Sequence, residues 1–318
     1  MKALIVWALS LAGAFYGGAK FYLHSEVADT MDVAVMMMAP FAALEYDGVR
    51  STMTGELTIE GVRVRPNEFR DELYIERLGI DTPSFLSLLK MSDYITLQGS
   101  DVPEYFGLIV AGVHLPVKAD YFEELYEFSK ALQGHEDDGD AAAKCTGKYG
   151  FSPQTLSALG YDEQVFSMRL IARNANGHYT FEVDSNIEDM WDAQAQVTLA
   201  GNMTSELSLG RAYRPKLREM RIEYTDQSLK ERVQDYCGRL GLSPVQTLKA
   251  QMDTFRFYGE SNGVVFDEYL LEPYQEFLKG KSTLVITAKP HEPVAMSQID
   301  LYKPSDVPAL LNLEAQAY

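Results

Sequence analysis

The sequence lacks the short motifs that identify common enzyme classes. It contains no HExxH zinc motif, no G-x-S-x-G nucleophile turn, no GxGxxG fingerprint and no phosphate-binding loop. The five histidines are scattered along the chain, with no pair at helical spacing: His24, His114, His135, His178 and His291. The sequence therefore predicts no catalytic residue, no cofactor and no metal site, and an uncharacterised enzyme remains a third alternative behind the two functions proposed below.

Cysteine is also scarce, since the chain has only Cys145 and Cys237. Without CxxC spacing, two distant cysteines cannot supply a tetrahedral metal shell by themselves. Each is followed by a turn and then by a Ser-Pro pair, Ser152-Pro153 and Ser243-Pro244, which is a favourable helix opening. In an oxidising compartment such an isolated pair forms a disulfide. We predict a Cys145–Cys237 bridge between two related Cys-turn-helix elements, with two free buried thiols as the alternative.

Positive charge is in deficit. The chain has 28 Lys and Arg against 46 Asp and Glu, which gives a net charge of −18 and a pI near 4.7. Nucleic acids and anionic membrane surfaces attract positive potential, so this balance argues against a nucleic-acid partner and against docking on an anionic surface. The densest basic stretch, residues 211–221, alternates with strand-like residues and is interpreted as a solvated strand face.

Long hydrophobic runs are limited to one, at the N-terminus. Residues 3–19 are uninterrupted by charge, Lys2 precedes them, and Lys20 is followed by Phe21, Tyr22 and Leu23. A helix needs about 20 apolar residues to cross a hydrocarbon core of about 30 Å. Residues 3–23 therefore predict an uncleaved membrane anchor with an exported body. The small-x-small sequence at residues 12–14 keeps open a cleaved signal peptide.

The remaining chain alternates between strand and helix patterns. Period-two alternation broken by Asp47-Gly48 and Glu60-Gly61 predicts an antiparallel meander over residues 44–64. Further strands are predicted at residues 72–80, 164–173, 177–184, 193–199, 203–209, 216–224, 282–288 and 296–301, and helices at 84–91, 119–132, 226–240, 244–258 and 267–278; residues 104–113 suit either. Strands followed by helices, twice over, predict an α+β fold: an N-terminal transmembrane helix, then twisted antiparallel sheet with segregated helices.

Four segments follow from these patterns. Residues 1–25 form the membrane anchor or signal peptide, and residues 26–133 an N-terminal β-meander with helices. Residues 134–144, with the sequence GHEDDGDAAAK, are acidic and lack aromatics, which is typical of a linker. Residues 145–318 form a C-terminal region rich in strands and helices.

Residues 46–64 have a regular spacing of glycine and apolar residues, which include Gly55, Leu57, Ile59, Val62 and Val64. This pattern resembles that of the AsmA-like envelope proteins. The resemblance covers residues 44–89 and, in part, residues 164–224. It implies a bacterial inner-membrane anchor, a body in the periplasm and a curved sheet with an apolar groove that handles phospholipid. The chain is shorter than the family's larger members, and its second half holds more helix.

This resemblance implies a set of apolar groove residues. Their inward side chains must remain uncovered, whereas the alternative is that they pack beneath helices. The candidates are Leu57, Ile59, Val62, Val64, Met168, Leu170, Phe181, Val183, Val197, Leu199, Leu207 and Leu209. The expected function is non-catalytic lipid handling or envelope maintenance by a single-pass inner-membrane protein that contacts the inner membrane through residues 3–23. The expected ligand or partner is phospholipid or an envelope protein. The alternatives are a scaffold or assembly subunit that binds a protein partner and, after signal cleavage, a secreted periplasmic protein.

Overall fold

The fold is α+β in the residues that the structure, a computed structural model, describes. These are residues 2–90, 104–133, 140–148, 150–175, 177–201, 215–299 and 301–318, without the side chains of residues 2–15, 125 and 129–133. They contain ten helices and twelve strands. The chain forms two compact units, Met1–Gly112 and Val113–Tyr318. This division does not coincide with the predicted linker at residues 134–144, of which residues 134–139 lie outside the description and residues 141–144 are helical.

The first unit is built around one long strand. Its elements are α1 (Lys2–Met38), β1 (Ala42–Glu45), β2 (Gly48–Ser51), β3 (Glu56–Pro66), β4 (Leu73–Asp81) and α2 (Phe85–Leu89). Strand β3 pairs antiparallel with β1, β2 and β4. Strand β5 (Tyr105–Pro116) crosses the division between the units.

One predicted turn lies within a strand. The Asp47-Gly48 turn connects β1 to β2, whereas β3 continues through the expected turn at Glu60-Gly61. Gly61 has a φ of 62°, and a Cβ atom there would lie 2.0 Å from Oδ2 of Asp47. That carboxylate accepts a hydrogen bond of 2.8 Å from Arg63. Gly61 therefore allows the Asp47 side chain to approach the strand closely, and the chain does not reverse at this glycine.

The C-terminal end of the predicted anchor lies in helix α1 and packs against the rest of the first unit. Leu23 is buried in a cluster with Leu57 and Phe85, and the ring of Tyr16 meets that of Phe85 at a centroid distance of 5.0 Å. Lys20 Nζ donates to the Ser51 carbonyl at 3.1 Å. The helix runs unbroken to Met38, so the polar neck expected at residues 26–30 is part of it.

The predicted anchor at residues 3–23 falls mostly on side chains outside the description, those of residues 3–15. Within the described part of the chain, no helix combines the length and the apolar character that a membrane crossing requires.

The second unit consists of a sheet with helices on one face. Its elements are α3 (Asp120–Gln133), α4 (Ala141–Thr146), α5 (Pro153–Ala158), β6 (Glu163–Ala175), β7 (His178–Ile187), β8 (Trp191–Ala200), β9 (Lys216–Asp226), α6 (Leu229–Arg239), α7 (Pro244–Ser261), α8 (Glu268–Lys279), β10 (Thr283–Ala288), β11 (Val294–Ala295), α9 (Met296–Ile299), α10 (Val307–Leu311) and β12 (Leu313–Ala317). Strands β6, β7, β8, β9, β10 and β12 are neighbours in that order, all antiparallel, and β11 pairs with β9.

Three differences from the sequence patterns concern strands. Residues 104–113, which suited either structure, lie largely in β5. The strand expected at residues 296–301 is replaced by α9, and the last strand is β12 instead. The residues of β12 alternate between apolar Leu or Ala and polar Glu or Gln, which fits a strand at the edge of the sheet. All five of them pair with β10. The strand predicted at residues 203–209 lies outside the described residues.

The two related Cys-turn-helix elements are present and joined. Ser152 and Ser243 cap α5 and α7, and the proline after each occupies the first turn of its helix. At α7, Gln246 completes a capping box with Ser243. The preceding helices, α4 and α6, carry Cys145 and Cys237, and a disulfide links them with a Cα–Cα distance of 5.2 Å. Both cysteines are fully buried in a cluster that reaches β7 and β8.

Candidate ligand-binding face and cavity

The pairing register aligns the predicted groove residues of the second unit on one face of the sheet. Leu170 pairs with Val183, and Val183 with Ala195. Ala195 in turn pairs with Ile222, so a single row crosses strands β6 to β9. The same parity places Met168, Phe181, Val197 and Leu199 on this face, because side chains alternate along each strand.

The described core clusters include only part of this face. Val197 and Leu199 pack against a buried cluster centred on α8, α10 and β12. The others are half-buried, and none of the hydrophobic clusters among the described residues includes them. We call this set the open face: Met168, Leu170, Phe181, Val183, Ala195 and Ile222. The opposite face of the same strands carries mostly polar residues, among them Glu182, Asp184, Gln194, Gln196, Arg221 and Glu223.

The groove candidates of the first unit do not form a comparable stripe. Leu57 packs with Phe85 and is 9% exposed, and Val62 is 2% exposed. The unbroken register with β4 puts Leu57 and Ile59 at positions that alternate with those of Val62 and Val64. Both buried residues therefore contribute to the packing of the unit. The remaining two candidates, Leu207 and Leu209, lie outside the described residues.

The basic stretch at residues 211–221 was predicted to lie on a solvated strand face, and its basic residues within the described part of the chain are exposed. Lys216, Arg218 and Arg221 lie on β9 with exposed side chains. Arg221 pairs with Glu223 at 2.6 Å, and Arg218 hydrogen-bonds Nε2 of His178 at 2.7 Å. The remaining basic residues of the stretch, Arg211 and Arg214, lie outside the described residues.

A cavity of about 290 Å³ lies beneath the helices of the second unit. Tyr224 on β9 and Leu284 on β10 form its floor, on the same side of the sheet as the open face. Helices α4, α6, α7 and α8 supply its other walls. Five aromatic rings line it: Phe151, Tyr224, Phe255, Tyr274 and Phe277.

These rings pack on one another in fixed orientations. Phe255 stacks on Tyr274 with 4.0 Å between ring centroids, and Tyr274 lies 6.1 Å from Phe277 in a stacked arrangement. Tyr224 meets Phe277 edge-on at 5.8 Å. Aromatic pairs in these arrangements stabilise the packing of α7 and α8 on β9.

The buried side of α7 brings polar groups to this cavity. Thr247, Gln251 and Thr254 are all buried, and the last two line the cavity. Thr254 shares a hydrogen bond of 2.9 Å with Thr146, which also donates to the Ala142 carbonyl at 2.8 Å. Gln251 is 8% exposed, and its side-chain oxygen Oε1 has no hydrogen-bond partner in the described part of the chain. An unpaired buried acceptor costs about 1–3 kcal/mol, so native proteins rarely retain one without a reason.

Sequence reasoning missed this polar stripe. Thr247, Gln251 and Thr254 recur at intervals of four and three, which marks one face of a helix. Polar residues at that spacing normally face water, and the spacing cannot reveal that this face is the buried one.

Two charged residues, Asp226 and Lys230, lie at the junction of β9 and α6. The Asp226 carboxylate accepts a hydrogen bond from the Lys230 backbone at 2.9 Å, and burial raises the pKa of that carboxyl. Burial lowers the pKa of Lys230, and the charge of Asp226 opposes that shift. Lys230 Nζ donates to the carbonyls of Phe277 at 3.0 Å and Lys281 at 2.6 Å. The ammonium group is therefore occupied within the protein.

The two tyrosines of the cavity remain protonated at physiological pH. Burial raises the pKa of both Tyr224 and Tyr274, and the charge of Asp226 adds to the shift at Tyr224.

The raised pKa of Asp226 predicts a specific pH dependence of stability. Ionisation is disfavoured in the folded protein, so the contribution of Asp226 to the free energy of unfolding falls as the pH rises from 3.8 through its raised pKa. Asp226→Asn keeps an acceptor for the Lys230 backbone but cannot ionise. We expect the variant to gain stability relative to the wild type between pH 4 and pH 7, measured by urea unfolding. Asp235→Asn, at an exposed position on α6, is the control. A difference from the wild type that does not change with pH would contradict the prediction.

Comparison with known proteins adds one similarity. The model of a family described as "Uncharacterized protein" matches residues 162–318. The matched segment begins just before β6, so it contains the open face and most of the residues that line the cavity. Cys145, Thr146 and Phe151 lie outside it. No curated protein matches the chain.

Proposed function

We propose that the second unit binds the acyl chain of a phospholipid on the open face. The observation that carries the proposal is the row of half-buried apolar side chains on β6 to β9, which no described core cluster includes. An antiparallel sheet in water normally covers its apolar face with core and solvates its polar face. Here six partly accessible apolar side chains on one face lie outside the described core clusters, and an accessible apolar patch is typical of a binding surface.

The geometry of the row favours a linear ligand. Four strands at a spacing of about 4.8 Å give a strip about 14 Å long that runs across the strands. Each buried methylene contributes about 0.8 kcal/mol, so roughly ten methylenes would supply about 8 kcal/mol, the scale of a micromolar complex before the costs of association. We therefore expect affinity to increase with acyl-chain length.

The proposal places this activity in a bacterial envelope. The buried disulfide supports an oxidising compartment such as the periplasm, and the N-terminal apolar run supports attachment to the inner membrane.

Lipid titration of the full chain tests the proposal. The protein, purified under non-reducing conditions and stripped of lipid, is titrated with fluorescently labelled phosphatidylethanolamines whose acyl chains have 8, 12 and 16 carbons. We expect saturable one-to-one binding that tightens with chain length, and a phospholipid adduct in native mass spectrometry of the unstripped protein. Absence of both would overturn the proposal. If a photoreactive residue at position 183 then crosslinked a protein partner, the result would favour the scaffold alternative.

A further inference from the structure

We propose that the outer edge of β12 is a docking site for an extended basic segment of a protein partner, which adds to the sheet as an antiparallel strand. Strand β12 is the last in the order that runs from β6 to β12, and among the described residues it pairs with β10 alone. The site shares no residue with the open face, so it is independent of the lipid proposal.

The hydrogen-bond pattern of β12 leaves backbone groups without partners. Tyr318 and Thr283 exchange both of their backbone hydrogen bonds, at 2.9 and 3.2 Å. Hydrogen-bonded and non-hydrogen-bonded pairs alternate along an antiparallel ladder, so the N–H and C=O groups of Ala315 and Ala317 point away from β10. Neither alanine bonds to any other backbone group in the described part of the chain. Two donors and two acceptors are therefore available to an additional strand.

A cleft of about 470 Å³ beside β12 provides room for that strand. Tyr269, Glu272, Pro273 and Glu276 of α8 line one side of it, and residues 315–318 line the other. The two alanines of β12 are partly accessible. Proteins commonly protect an edge strand with proline, lysine or a β-bulge, whereas β12 contains neither residue and its register with β10 is unbroken. The edge is therefore open to pairing.

Helix α8 gives this cleft a negative charge. Glu272 and Glu276 are exposed and line the cleft one helical turn apart, and Lys281 is the cation of its described lining. Glu276 lies 3.7 Å from Lys279, whereas Glu272 forms no ion pair with a described residue. The net charge of −18 adds to this local excess of carboxylates. Both the cleft and the field of the whole chain therefore favour a basic segment over an acidic one.

The pairing geometry determines which positions of the segment are basic. The side chains of Ala315 and Ala317 pack with the clusters on the helical side of the sheet. Directly opposite residues of an antiparallel pair have their side chains on the same face, so the residues that bond to β12 turn their side chains towards α8. Alternate residues of a strand are about 6.8 Å apart, and residues one helical turn apart are about 6 Å apart. Basic side chains at alternate positions can therefore reach Glu272 and Glu276.

Three matched peptides test the proposal. The probe is a fluorescein-labelled peptide amide of sequence TKTKTKT, and two derivatives carry N-methyl groups on its three lysines or on its last three threonines. N-methylation removes backbone donors and leaves the charge unchanged. Dissociation constants are measured by fluorescence polarisation with the full-length protein.

We expect N-methylation of the lysines to weaken binding at least tenfold and N-methylation of the threonines to leave it unchanged. Equal weakening by both, weakening by neither, or no binding of the unmodified peptide would overturn the proposal. The reverse pattern would overturn the antiparallel pairing, because in a parallel strand the threonines would bond to β12.

Variants of the protein locate the peptide. Ala315→Pro removes one outward N–H group, and an edge strand tolerates proline where its nitrogen faces solvent. Glu272→Lys reverses one charge of the cleft, and Glu188→Lys, at an exposed position between β7 and β8, is its control. We expect Ala315→Pro and Glu272→Lys each to weaken peptide binding at least tenfold and Glu188→Lys to leave it unchanged. Equal weakening in both lysine variants would overturn the proposal, since the peptide would then bind the acidic surface in general. If Ala315→Pro fails to fold, the N-methylated peptides still decide the question, and failure of lipid binding alone leaves this site unaffected.

Discussion

Replacing both Cys145 and Cys237 by alanine should lower the free energy of unfolding by about 2–4 kcal/mol. The disulfide closes a loop across a sequence separation of 92 residues, and long loops gain the most from closure because the unfolded chain loses the most conformational freedom. The bridge also ties α4 to α6 at the centre of a cluster that reaches the sheet, so it joins two elements that local sequence does not hold together.

Urea unfolding of the oxidised wild type, the reduced wild type and the double variant separates two effects of this change. Reduction removes the cross-link but leaves both sulfur atoms in place, whereas alanine also leaves unfilled space at two fully buried positions. We expect the reduced wild type to account for most of the loss and the double variant to be less stable still. A loss of less than about 1 kcal/mol on reduction would show that native contacts, and not the cross-link, hold the two helices together.

Val183→Glu should weaken binding of a long-chain phospholipid at least tenfold. Val183 lies at the middle of the row on the open face, between Leu170 and Ala195. A carboxylate there would lose its hydration under an acyl chain, and the cost of an unpaired charge easily exceeds the 1.4 kcal/mol that a tenfold change represents.

Gln194→Glu is the matched control for this substitution. Gln194 lies on the neighbouring strand with an exposed side chain on the opposite, polar face. Both variants add one negative charge to the same sheet, so any general repulsion of an anionic lipid affects them equally. We expect Gln194→Glu to bind as the wild type does, with dissociation constants measured by titration of the labelled lipid. Equal weakening in both variants, or in neither, would remove the open face from consideration as the lipid site.

Local patterns in the sequence were sufficient for most elements of the second unit. Period-two alternation located β6 to β9, since each of these strands has one apolar and one polar face. Helices α5 and α7 begin at the predicted Ser-Pro pairs, because a serine cap and a proline in the first turn are local features that need no tertiary support. With two cysteines only one intramolecular pairing exists, so the predicted partner was unambiguous, whereas the choice between that bridge and two free thiols depended on the fold.

Other elements depended on contacts that no local pattern encodes. The Glu60-Gly61 pair is typical of a turn but lies within β3, where the Asp47 side chain from the β1–β2 connection occupies the space beside Gly61. Within α1, Leu23 packs on Leu57 and Phe85, and these contacts do not follow from helical periodicity.

The sequence by itself determined the α+β class, the positions of most strands and helices, the disulfide, and which alternating residues could share a face. Only the tertiary structure decided which of those faces the helices cover and where the cavity forms. The physical reason is distance along the chain: Thr146 and Thr254 meet at 2.9 Å although 108 residues separate them. Whether the polar stripe containing Gln251 faces water or protein depends on such long-range contacts, and helical periodicity is the same in either case.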